Sequence, residues 1–428
     1  MRIRAAVWCR YAAAGLGLIS LAFSACKTAP PGKPLGATYA ELGKAEIWKI
    51  PARSEAQTVG LKVGDVIIGY NDEPVRDVNE YFHLEREAVT AGSGEKVRLT
   101  VLRDDQELSF EVRRIPLGFL PKSRMYGASL AKALDDVIQH YGQPGMYDWL
   151  AALTGESFAV MLEENNPYSW GTDGLAENYI STVEQFTGLS LRLRYSRESE
   201  EVDSAAPDPG LQVIRKLLAQ NRDLVVLGKW GDQPALLWGI PVRINPADST
   251  VLGWTLDYGT EQTLTGEVVS VYEVGFRGPV TPEPADMLSS VLEQALELGL
   301  RSSDRGWHSG LEAYDIVLKQ LEQFPVVPEG IDAGNECFYR LVWRLMAKKE
   351  SANRFLNEMK QVLPEQADLI EEVLGRNRAI IGKLEGVMAA NLRLDSPANQ
   401  QKAARVIAEI QEIENDLLGL YEELIGDL

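Results

Sequence analysis

Three histidines, three cysteines and one turn-flanked serine are the side chains of this 428-residue chain that could carry covalent chemistry. A thiolate nucleophile needs an imidazole or another cation beside it. His308, in Trp307-His308-Ser309-Gly310, and Cys337, in Glu336-Cys337-Phe338-Tyr339, are the pair that folding could bring together. Neither lies in a recognisable motif. Cys337 sits in an amphipathic pattern that equally suits a buried, inert thiol. Ser157, in Gly155-Glu156-Ser157-Phe158-Ala159, lacks the second glycine of a nucleophile elbow and reads as structural. His83 falls on a solvated helix face, and His140 ends a helix, where its charge suits the dipole. Scattered histidines and the absence of Cys-x-x-Cys leave no metal-ligand spacing. No glycine-rich phosphate loop appears, so no cofactor is expected. Trp149, Trp170, Trp230, Trp238 and Tyr168 could line a cleft for an apolar ligand or a sugar, or simply fill a core.

The elements that would position these groups are easier to read. Residues 60–75 run Gly-Leu-Lys-Val-Gly-Asp-Val-Ile-Ile-Gly-Tyr-Asn-Asp-Glu-Pro-Val. Gly60 and Gly64 permit two tight turns. Leu61 and Val63 anchor the loop, Val66-Ile67-Ile68 predicts a buried strand, and Asn71 to Pro74 turns the chain back. A helix is expected from Asp77 to about Thr90. The alternations Val97, Leu99, Val101 and Leu108, Phe110, Val112 flank Asp104-Asp105 and predict a hairpin with one buried face. This segment resembles the core of bacterial PDZ domains. The resemblance implies a small PDZ-like β-barrel with two helices over residues 35–116. It also implies that the end of another polypeptide, its C-terminus, is bound by strand addition. Leu35, Gly36 and Ala37 would hold the terminal carboxylate, Thr38 would begin the receiving strand, and Phe82 or Tyr81 would form the other wall. An occluded groove docked on a neighbouring domain is the alternative.

Acidic residues outnumber basic ones, 62 to 43, for a net charge of -19. Such a surface repels phosphate backbones and argues against nucleic acid. At the N-terminus, Arg2, Arg4 and Arg10 precede an apolar stretch from Ala12 to Phe23 that is short for a membrane span. Ser24-Ala25-Cys26 follows. The pattern resembles a lipoprotein signal, with residues 1–25 removed and Cys26 lipidated. A Pro-rich tether, residues 26–34, would hold the chain off the membrane. An exported, membrane-anchored lipoprotein on the periplasmic or outer-membrane face is implied. An ordinary secretory signal is the other reading.

Residues 124–280 open with helices around Leu130–Tyr141 and Met146–Leu153, and a third near Leu175–Phe186. Strands follow at Leu189–Tyr195, Leu224–Leu227, Leu236–Ile244, Thr250–Leu256 and Val268–Val274. This order predicts an α+β domain. Pro279, Pro282 and Pro284 mark a boundary. Residues 284–428 read as helical. One stripe runs Ile370, Val373, Ile380, Leu384, Val387, and another Val406, Ile410, Ile413, Leu417, Leu420, Leu424. They predict an antiparallel hairpin packed on the preceding domain, with an exposed coiled coil as the alternative.

Asp148-Trp149-Leu150, Gly155 to Ala159, Trp238-Gly239-Ile240 and Gly310 to Tyr314 resemble papain-like domains. These are the domains related to double-glycine leader peptidases and to the N-terminal domain of butirosin biosynthesis protein H. The resemblance places the nucleophile's helix at Gln143-Pro144-Gly145-Met146-Tyr147 and the base on Leu236 to Ile240. No cysteine occurs from 27 to 336, and no histidine lies on that strand. The expectation is an α+β multidomain protein whose middle domain is a pseudoenzyme. A hydrolase or acyl-transferase with an unrecognised nucleophile, such as Ser157 or Cys337, and a ligand binder with an aromatic cleft remain the alternatives.

Overall fold

The computed structural model describes residues 45–49, 55–71, 73–76, 81, 84, 96–113, 120–121, 127–163, 179–197, 208–231, 236–255, 262–300, 303–304, 307–323, 328–390 and 392–428. Among them the chain is α+β, with ten α-helices and three sheets.

The N-terminal part contains β1 (Ala45–Lys49), α1 (Glu55–Val59), β2 (Val66–Tyr70), β3 (Glu73–Pro74), β4 (Lys96–Arg103), β5 (Gln106–Arg113) and β6 (Leu120–Pro121). The strand order is β5-β4-β2-β1-β6, antiparallel throughout, with β3 on β2. Asp104 and Asp105 both take positive φ, 50° and 61°, so the β4–β5 turn twists with its strands. Leu61, Ile67, Tyr70, Tyr81, Leu99 and Val112 build a separate core.

Gly60 and Gly64 lie at φ 90° and 94°, a region closed to most side chains. The loop between them is held by Asp65, which is 1% exposed. Its carboxylate accepts from Lys62 N at 2.8 Å and from Arg103 Nε and Nη2 at 2.6 and 2.7 Å. Arg103 Nη2 also donates to Gly60 O at 2.9 Å, and the guanidinium lies 5.5 Å from the Phe110 ring centre. Arg103→Met is expected to cost this unit about 1–3 kcal/mol, because Asp65 stays buried without its charged partner. Denaturant unfolding followed by near-UV absorbance of Tyr70 and Tyr81 would check it.

The middle part runs α2 (Ser129–His140), α3 (Tyr147–Leu153), β7 (Met161–Glu163), α4 (Ile180–Thr187), β8 (Leu189–Ser196), α5 (Pro209–Leu218), β9 (Asp223–Trp230), β10 (Leu236–Ile244), β11 (Val251–Thr255) and β12 (Gln262–Phe276). The sheet order is β11-β10-β9-β12-β8, and β11 also pairs with β12. The strand expected at Val268–Val274 is the second half of β12. Gly266 and Glu267, at φ 120° and 49°, shift the register between the halves. A glycine inside a bulge reads as a turn in sequence, which hid the first half. One face of the sheet packs on α2. The other is covered by α5, whose N-cap Asp208 accepts from Gly210 N and Leu211 N.

The last part holds α6 (Pro284–Leu300), β13 (Ser303–Asp304), β14 (Trp307–Ser309), α7 (Gly310–Gln323), α8 (Pro328–Val362), α9 (Ala367–Ala389) and α10 (Pro397–Asp427). The short sheet β13-β14-β7 joins this part to the middle one. The expected hairpin is α9 against α10. The α9 stripe is buried, whereas on α10 Ile410, Leu417 and Leu424 are buried and Val406, Ile413 and Leu420 only half-buried, the inward face running also through Ala403, Ile407 and Tyr421. The hairpin belongs to a larger assembly, since α10 also packs on α6 and α7, and α9 on α8. One buried cluster continues from Ala128 on through Tyr272 and Met287 to Leu424, so the Pro-rich connection after β12 does not interrupt the core.

Candidate functional site

The residues expected to hold a peptide terminus (Leu35, Gly36, Ala37, Thr38 and Phe82) and the expected lipidation site Cys26 lie outside the described residues. Of that groove's expected wall only Tyr81 is described. It is 1% exposed, and its ring meets Tyr70 edge-on at 6.0 Å, so it fills the core.

The helix that meets β10 is not the one opening at Gln143. Gln143 sits in the turn closing α2, where its N–H donates to Ile138 O. The first turn of α2 faces β10 instead: Trp238 N donates to Ser129 Oγ at 3.0 Å. Ala131 N, in the same turn, donates to Glu156 Oε2 at 3.1 Å, so a buried carboxylate stabilises the positive end of the helix. The resemblance alone could not locate this meeting, because glycines and prolines draw the eye to 142–145. Ser129 and Trp238 are both 0% exposed. Ser129 is thus enclosed, its hydroxyl oxygen accepting from the strand.

The other candidates are equally enclosed. Ser157 is 0% exposed, and its Oγ has no hydrogen-bond partner among the described residues. Cys337 is 3% exposed, within the main core on α8. His308 lies on β14, with Nδ1 3.2 Å from Glu312 Oε2. β14 packs on β7, α6 and α7, and α8 on α3, α9 and α6. Trp230 and Trp238 pack on opposite faces of the sheet, in different clusters, and share no cleft. Trp149 Nε1 donates to Glu358 on α8.

Charge is concentrated where the middle part meets the helices, and sequence reasoning missed it. Asp148 accepts two bonds from Arg354, at 2.8 and 3.0 Å, and one from Ser351 at 2.9 Å. Lys349 Nζ lies 2.8 Å from the Glu414 carboxylate and 3.4 Å from Phe158 O. Tyr314 donates to the same carboxylate at 3.0 Å. Burial, then the neighbouring Glu414, push the Tyr314 phenol well above its ordinary range, so it stays a donor. Spacing does not show these pairs, because each joins distant segments. Asp148, Lys349, Tyr314 and Glu414 are buried and Arg354 is half-buried, so these pairs act as structural ties.

A groove of about 350 Å³ opens between α8 and α9, walled by Glu350, Asn353, Arg354, Arg378, Gly382 and Glu385. Its guanidiniums are engaged, Arg354 with Asp148 and Arg378 with Glu371. Among the described residues no group of His, Cys, Asp and Glu is arranged to hold a metal, and no helix is long and apolar enough to cross a membrane. No family model matches the chain, and no curated protein is significantly similar to it.

Proposed function

We propose that this protein is a binding module that captures the C-terminal end of another polypeptide through a PDZ-like N-terminal unit. In this reading it is exported and held at the membrane by a lipid on Cys26. The observation that carries the reading is the segment from Gly60 to Tyr70. Both glycines adopt positive φ, the apolar loop residue Leu61 is buried, and the strand that follows lies between β4 and β1. This arrangement supports the PDZ-like reading. Strand addition then gives affinity through main-chain bonds, with selectivity from alternate side chains. The remainder of the chain is a papain-like domain that has lost its nucleophile and base, backed by helices. Burial of Ser129, Ser157 and Cys337 supports a scaffold over a hydrolase.

A display library of peptides with free C-termini tests this on the full-length chain. Selection of a C-terminal consensus is expected, with binding lost when the terminus is amidated and when Gly36 is replaced by Trp. Turnover of an ester or peptide by pure protein, abolished by Ser157→Ala or Cys337→Ala, would overturn it in favour of the enzyme.

A further inference from the structure

Exposed strand edges are sites where chains pair unless something blocks them. The edges of this molecule differ in that respect. β6 is two residues long and ends in Pro121. β8 is bulged opposite Val271 and Tyr272, and its outward N–H groups at Leu189 and Leu191 are taken by Thr187 Oγ1 and Glu184 Oε1. β11 folds back onto β12. Among these described edges β5 carries none of these devices. Its eight residues, Gln-Glu-Leu-Ser-Phe-Glu-Val-Arg, pair with β4 in unbroken register from Arg103↔Gln106 to Lys96↔Arg113, with no proline, lysine or bulge. Among the described residues its backbone pairs with β4 only. Glu107, Ser109 and Glu111 are exposed.

We infer that β5 is a self-association edge, pairing antiparallel with β5 of a second copy about a two-fold axis at Phe110. Charge complementarity argues for a second copy as the occupant, and among the registers that overlap most of β5 the residue types favour this one. Centred on Phe110, the pairing sets Glu107 opposite the copy's Arg113 twice, Leu108 opposite Val112, and Phe110 opposite itself. Centred on Ser109 it would set Glu107 against Glu111 twice, and centred on Glu111 it would oppose two glutamates. Like charges directly opposite are unfavourable, and opposite charges and aromatic pairs are favourable. The chosen register also continues the apolar row of Leu108, Phe110 and Val112, which already packs on the N-terminal core. A two-fold contact of this kind closes at two copies and leaves no further edge of β5. The inference is independent of the peptide-terminus reading, since it uses neither residues 35–38 nor Phe82.

Sedimentation velocity of the full-length chain across a concentration series tests it. A reversible monomer–dimer equilibrium is expected. Glu107→Arg, at an exposed position, and separately Arg113→Glu should each weaken it by about tenfold or more, with the far-UV circular dichroism unchanged. Mixing the two variants should restore a heterodimer, because each opposed pair then regains unlike charges. A wild-type chain that stays monomeric up to about 1 mM overturns the inference. So does a dimer indifferent to both reversals, or one that the mixture fails to rescue.

Discussion

Lys349→Met should lower the stability of the chain by about 3–5 kcal/mol, the cost of leaving a buried carboxylate without its cation. Lys349 is 0% exposed and Glu414 7%. The ammonium bridges Glu414 to the Phe158 carbonyl, tying α8, α10 and the loop after α3 together. Once it is gone, the Tyr314 hydroxyl is the hydrogen-bond donor that remains on Glu414 among the described residues. The double variant Lys349→Met, Glu414→Gln should recover most of the loss. A neutral amide keeps an acceptor for Tyr314 and removes the orphaned charge. Urea midpoints of the wild type and both variants measure these effects. A double variant no more stable than Lys349→Met would show that the orphaned charge is not what costs this junction its stability.

The contrast between what sequence reveals and what it hides follows from the range of each interaction. Leu130, Leu134, Val137 and Ile138 announce α2 because helical periodicity is a local property, and all four are buried. The same holds for Ile370 to Val387 on α9 and for the β4–β5 alternation around Asp104-Asp105. Gly60 and Gly64 were legible because a positive φ restricts residue type at a single position. The ties Asp148–Arg354, Lys349–Glu414 and Asp65–Arg103 were not, since each partner alone resembles a solvated charge. Only the topology shows that Arg103, at the end of β4, reaches the loop before β2. The junction of Ser129 with Trp238 was hidden for the same reason. A serine near the start of a helix suggests a cap, and nothing nearby in sequence points to a strand more than one hundred residues on.

Gly310→Ala should be among the most damaging single-methyl additions, at about 3 kcal/mol or more. Gly310 opens α7 at φ 56°. A Cβ there would stand 2.3 Å from Gly299 O, 2.4 Å from Gly299 Cα and 2.5 Å from Leu298 O, all parts of α6 that no rotamer change can move. The backbone crosses that closely because three bonds meet at one point. Gly310 N donates to Val160 O at 3.0 Å, Ser309 Oγ donates to Leu298 O at 2.8 Å, and β14 pairs with β7 immediately before. Displacing α6 by the required distance would also disturb Gly299, which lies against Leu418 of α10. The penalty should therefore extend from the short sheet into the helical assembly, and hydrogen exchange should show lost protection in β7, β14 and the C-terminal turns of α6 together. Gly382 gives the opposite case. Nothing lies within 4 Å of where its Cβ would be, so alanine there meets no neighbour and adds only its better helix propensity. If Gly310→Ala unfolds at the wild-type denaturant midpoint, the close crossing of α6 and α7 is not a constraint on this fold.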